Sequence, residues 1–151
     1  DVGNSISCLD TPDSFYKNTK DFIKNVHLKD YLIYKSLDGI RLVRCPIGSG
    51  YVNYQKILPM IYENDRIESY SIELGAQITR ECNINHNDYW DPYDFLPITR
   101  EEYHSYVENT YSQSGKAFSP YELGLIDESL FLSEINDVDE SVANLKRLIE
   151  G

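Results

Sequence analysis

Hydrophobic and polar positions along this chain follow two rhythms, and the first is helical. Within residues 10–28, Phe15, Thr19, Phe22, Ile23 and Val26 recur at helical spacing, with Lys17, Lys20 and Lys24 on other faces. Asp10 or Thr11 can cap this helix, Pro12 suits its first position, and Asp13 favours the positive end of its dipole. His27 at its far end reads as a cation complementing the C-terminus.

The rhythm then shortens to two. Residues 31–37 and 40–45 flank Asp38-Gly39, which predicts a two-residue type I′ hairpin. That turn sets Leu37 opposite Ile40, Tyr34 opposite Val43 and Leu32 opposite Cys45. Gly48-Ser49-Gly50 reads as a flexible turn that helps end the hairpin. Residues 51–62 are ambiguous: Val52, Tyr54 and Ile57 suit a strand, but Pro59 excludes a central one. Residues 66–80 predict a long strand, with Tyr70, Ile72, Leu74, Ala76 and Ile78 on one face and Ser69, Ser71, Glu73, Gln77 and Thr79 on the other.

Helical spacing returns after residue 98. Thr99 and Glu102 form a capping box, with Ile98 placed to staple onto Tyr103. Ser119, Pro120 and Glu122 open a short helix. Asp137 and Glu140 cap a last one carrying Val138, Val142, Leu145, Leu148 and Ile149. The order predicts a single α+β domain over residues 1–151. Its antiparallel sheet of about four strands is preceded by one helix and followed by two or three helices covering one face.

Composition narrows the function classes. At 151 residues and 41% hydrophobic, the chain can bury a core without metals or disulfides. No apolar run approaches the roughly 18 residues needed to cross a bilayer. Cys8, Cys45 and Cys82 are widely spaced and form no CxxC pair, which points to a reducing compartment and a cytoplasmic protein; the start at Asp1 leaves a cleaved signal open. Residues 1–80 carry ten acids and ten bases, whereas residues 81–151 carry fifteen acids against Arg100, Lys116, Lys146 and Arg147. The whole net charge of −11 therefore lies in the second half. Such a field repels nucleic acid and anionic lipid and speeds encounter with a basic protein partner.

The candidate chemistry concentrates in residues 81–95. Asp88, Trp90, Asp91, Tyr93 and Asp94 combine large aromatic surfaces with carboxylates, a composition suited to anchoring a basic partner. A calcium loop starting at Asn83 fits poorly, since Asp88 stands where Gly is needed and Asp94 is a short final ligand. Cys82 and His86 have zinc-like spacing without a second pair. No cofactor or metal is expected. His104 pairs naturally with Glu108 one turn on, and His86 with Asp88 could form a base and its orienter, but no motif presents an activated nucleophile.

The reading that follows is an acidic protein-binding module, such as an inhibitor or immunity-type protein that neutralises a basic partner like a toxin, rather than an enzyme. The alternatives are a small-ligand binder or enzyme with a cavity between sheet and helices, and a nucleic-acid mimic. A deep polar pocket with converging titratable groups would favour the enzyme; a flat acidic face bearing exposed aromatics would favour the binder.

Overall fold

The computed structural model describes residues 1–75, 79–93, 95, 98–112 and 117–150, and the fold is mixed α and β. A 3-10 turn, Val2–Cys8, precedes helix α1, Pro12–Thr19. Thr11 caps α1 by accepting from Ser14 N at 3.2 Å, and Pro12 opens it, as expected. The helix ends well before residue 28, however. Val26 and Leu28 are buried between exposed Asn25 and His27, a period of two, and Asn25–Leu28 forms strand β1.

Strands β2, Asp30–Lys35, and β3, Ile40–Cys45, form the expected antiparallel pair, but in a different register. Lys35 stands opposite Ile40, Tyr34 opposite Arg41 and Leu32 opposite Val43. Ser36 N donates to Gly39 O at 2.9 Å, so the connection spans four residues, and Asp38 lacks the positive φ of a type I′ turn. The slip is two residues, so Leu42 keeps its inward face; a one-residue slip would have turned the core out.

Residues 54–62 resolve as helix α2, Tyr54–Tyr62, with Pro59 inside it. Asn53 caps it by accepting from Lys56 N at 3.1 Å, and Tyr54, Ile57, Leu58 and Ile61 give it one continuous buried face. The predicted long strand divides into β4, Ser69–Ile72, and β5, Arg80–Cys82; Ala76, Gln77 and Ile78 lie outside the described residues. The sheet is correspondingly two sheets. β2, β3 and β5 form an antiparallel one, while β1 and β4 pair in parallel, joined through the β2–β3 hairpin and α2.

Helix α3, Arg100–Glu108, has the predicted capping box, with Glu102 N donating to Thr99 Oγ1 at 3.2 Å and Thr99 N to Glu102 Oε2 at 2.9 Å. Its Tyr103 and Val107 bury against Ile33, Ile40 and Leu42, and Ile98 packs on the same cluster. Ser119 and Glu122 also satisfy each other's backbone N–H groups, yet they close only a turn. The last helix, α4, starts earlier than expected, at Asp127, and runs 24 residues to Glu150, passing straight through Asp137. Among the described residues no helix is long and apolar enough to cross a membrane. All three cysteines are free, with Cys45 and Cys82 buried.

Gly48-Ser49-Gly50 is more than a flexible link. The Asp30 carboxylate, buried at the start of β2, accepts from Tyr31 N at 2.9 Å and Val52 N at 3.1 Å on one oxygen. Its other oxygen accepts from Gly48 N at 3.0 Å and Gly50 N at 2.9 Å. A Cβ on Gly50 would lie 2.3 Å from that carboxylate and 2.5 Å from Tyr31 O, so the loop can wrap this closely only with glycine there. Burial pushes the Asp30 carboxyl up to about 7, against the pull of the four N–H donors.

Candidate metal centre

The parallel ladder between β1 and β4 brings the chemistry together. Asn25 pairs with Ser69 and His27 with Ser71, and beyond the strands Glu73 N donates to Leu28 O at 2.9 Å. Alternation then stacks Asn25, His27 and Lys29 on one face beside Ser69, Ser71 and Glu73. Ser69 Oγ donates to Asn25 Oδ1 at 2.6 Å at one end of this ladder, and Lys29 ion-pairs with Glu73 at the other. Lys29 sits at the join between the two sheets. Its backbone N and O are both held by the Tyr54 hydroxyl at 2.9 Å, and its side chain is only 3% exposed.

Asp1 approaches from a third element. The 3-10 turn that follows it packs so closely on the β1–β2 join that a Cβ on Gly3 would lie 2.3 Å from Lys29 O. Asp1 Oδ1 stands 3.0 Å from His27 Nδ1, and Glu73 Oε2 stands 3.0 Å from the same nitrogen. The ligand atoms of Asp1, His27 and Glu73 all lie within 4.8 Å of one another, which is the one such grouping among the described residues. Arg44 on β3 reaches Glu73 Oε1 at 3.2 Å and donates to Leu74 O at 2.7 Å, fixing the chain after β4.

Burial alone would raise the Glu73 carboxyl. Hydrogen bonds from Lys29 and His27, with the charges of Lys29 and Arg44, instead bring it down to about 2. Glu73 is therefore an anion throughout the neutral range. Burial lowers the Lys29 ammonium below its ordinary value, against the pull of Glu73. One imidazole and two carboxylates form a donor set for a divalent first-row cation such as Zn²⁺ or Mn²⁺. Three protein ligands leave coordination positions open for water or substrate, the pattern of a catalytic rather than a structural site.

No family model, curated protein or solved structure matches the chain. The site rests on its own geometry.

The loop singled out from the sequence lies elsewhere, over the antiparallel sheet. Trp90 is half-buried: its Nε1 donates to Ile84 O at 2.9 Å, and its ring stands T-shaped to Tyr103 with centroids 5.6 Å apart. The Arg100 guanidinium lies 5.4 Å over the indole and donates to Asn85 O and Asn87 Oδ1, both at 2.7 Å. Tyr93 packs half-buried against the same core cluster, Asp88 and Asp91 are exposed, and Asp94 lies outside the described residues. His86, which the sequence offered as a partner for Asp88, meets Asp38 instead, with Nε2 2.9 Å from Asp38 Oδ1.

Sequence reasoning missed Asp1, His27, Lys29, Arg44 and Glu73 because it placed His27 on a helix. The usable signal was the alternation of polar residues at 25, 27 and 29 and again at 69, 71 and 73.

Proposed function

We propose that Asp1, His27 and Glu73 bind a divalent metal ion and that the protein is a metal-dependent enzyme. The observation that carries this reading is the convergence of one imidazole and two carboxylates from three separate elements. They meet beside the parallel β1–β4 ladder, His27 within β1, Glu73 just past β4 and Asp1 ahead of the 3-10 turn. A cation held by Asp1, His27 and Glu73 would supply Lewis-acid chemistry toward an oxygen of a small substrate. The chain's own residues supply the rest. Arg44 orients Glu73, and the buried Lys29 ammonium pairs with Glu73 and lies 3.7 Å from Asp1, balancing part of the carboxylate charge.

The test is metal retention after chelation and reloading. Loading with Zn²⁺, Mn²⁺ or Co²⁺, followed by gel filtration and elemental analysis, is expected to leave one ion per chain. His27→Ala is expected to weaken retention by about a hundredfold or more while leaving the fold intact. A wild-type chain retaining no more than the buffer background contradicts the proposal.

A second reading, a module that binds a basic protein partner through Asp88, Trp90, Asp91, Tyr93 and Asp94, keeps support from the exposed carboxylates of Asp88 and Asp91 beside Trp90. Its test is affinity for a basic partner measured per folded molecule in Trp90→Ala. An unchanged value sinks it.

A further inference from the structure

A recess of about 80 Å³ lies beside the metal centre, between the 3-10 turn, helix α1 and strand β1. Val2, Phe15, Tyr16, Ile23 and Val26 supply its apolar walls, and its two exposed lining residues are Asp1 and Asn25. Asp1 is therefore common to both places: it lines the recess, and its Oδ1 stands 3.0 Å from His27 Nδ1. Asn25 lies two positions before His27 on the same face of β1, while Val26 between them turns inward.

The polar atoms around the recess are engaged by the chain itself. Thr19, which also lines it, donates through Oγ1 to Phe15 O at 2.7 Å. The Tyr16 hydroxyl donates to Met60 O at 2.7 Å, and Asn25 Oδ1 accepts from Ser69 Oγ at 2.6 Å. What the recess offers a ligand is apolar surface, since Phe15 and Ile23 are only half-buried there. Size narrows the guest further. An apolar cavity of about 150 Å³ holds a benzene ring. A recess of about 80 Å³ holds roughly half as much, or about three or four carbons.

We infer that this recess is the substrate subsite of the metal centre. It takes the aliphatic end of a small compound whose oxygen function reaches the ion held by Asp1, His27 and Glu73. The inference rests on the proposed metal centre and adds the substrate class to it. A cation with three protein ligands keeps positions open for that oxygen, and the recess then measures the length of the carbon chain behind it.

Hydroxamates test this, because their two oxygens chelate a metal and their carbon tail can be varied. The whole chain is loaded with Co²⁺, its metal content is measured by elemental analysis, and hydroxamate binding is followed by the visible absorption of the ion. Isovalerohydroxamate, with an isobutyl tail, is expected to bind about tenfold more tightly than acetohydroxamate, because its three extra carbons leave water. Octanohydroxamate should bind no more tightly than isovalerohydroxamate, since its longer tail outgrows the recess. Thr19→Leu fills the recess without touching a metal ligand, so it should retain Co²⁺ and lose the tenfold preference. Phe15→Ala enlarges it and should move the preference toward octanohydroxamate. Retained Co²⁺ with equal affinity for the acetyl and isovaleryl compounds overturns the inference and leaves the metal centre standing. Affinity that climbs steadily to the octanoyl compound in the wild type also overturns it, as does a preference unchanged in both variants. A chain that retains no Co²⁺ overturns both readings.

Discussion

Asp30 and Glu73 lie on either side of Lys29, and burial raises both carboxyls, yet they end on opposite sides of the ordinary range. Asp30 points inward and is closed off by four backbone N–H donors, so nothing remains for it to bind. Glu73 points to the rim, where its partners are side chains: Lys29, Arg44 and His27. The more strongly shifted Asp30 group is the structural one. A perturbed carboxyl therefore does not mark a site by itself. What distinguishes the rim is a set of different donor atoms converging from separate elements with side chains that can reorganise around an ion.

The largest expected effect tests the inward half of that contrast. Asp30→Asn turns an NH₂ group toward two of the four backbone donors and should cost about 3 kcal/mol of folding stability, read by denaturant unfolding. Metal binding per folded molecule should be unchanged. If Asp30→Asn abolishes metal binding in a folded chain, the division between nest and rim is wrong.

Trp90→Ala should follow at about 2 kcal/mol of stability, through lost packing on Tyr103 and a lost bond to Ile84 O. Thermal unfolding checks it, and a loss below about 0.5 kcal/mol would mean that the indole contributes little to the core.

Lys29→Gln sharpens the outward half. With the ammonium gone, a cation no longer competes with it for Glu73 and Asp1, so metal affinity should rise about tenfold, roughly 1.4 kcal/mol. A fall in affinity would make Lys29 an organiser of the site rather than a competitor.

The last expected effect is a slope with pH rather than a single loss. The folded Asp30 carboxyl titrates near 7, above its ordinary 3.8, so folding takes up a proton between those values. The resulting stabilisation is full below about pH 4 and is lost as pH rises through about 7. The wild-type stability curve minus that of Asp30→Asn should therefore fall across this window. A difference that is flat or rises with pH contradicts the raised value.

What could be read from the sequence was what neighbours decide. The Thr11 and Thr99 caps, the β2–β3 pair and the capping box need partners only a few residues away. The misreadings share the opposite property. Asn25 meets Ser69 and His27 meets Glu73 across long separations, so β1 looked like the tail of a helix. The Gly48–Gly50 nest was invisible without the carboxylate it encloses, eighteen and twenty residues away. Pro59 spoke against a strand, but the buried face formed by Ile57, Leu58 and Ile61 was needed to show a helix. The aromatic loop stood out by composition, while the inward direction of its Trp90 depended on Tyr103 and Ile84.

The central claim is that a divalent ion binds at the rim and not in the nest. Calorimetric titration of Mn²⁺ into the wild-type chain, Glu73→Gln and Asp30→Asn tests it most directly. The account predicts one site per chain in the wild type, a loss of at least about a hundredfold in affinity for Glu73→Gln, and wild-type affinity for the folded fraction of Asp30→Asn. Equal affinity in the wild type and Glu73→Gln, or no binding to the wild type, would contradict it.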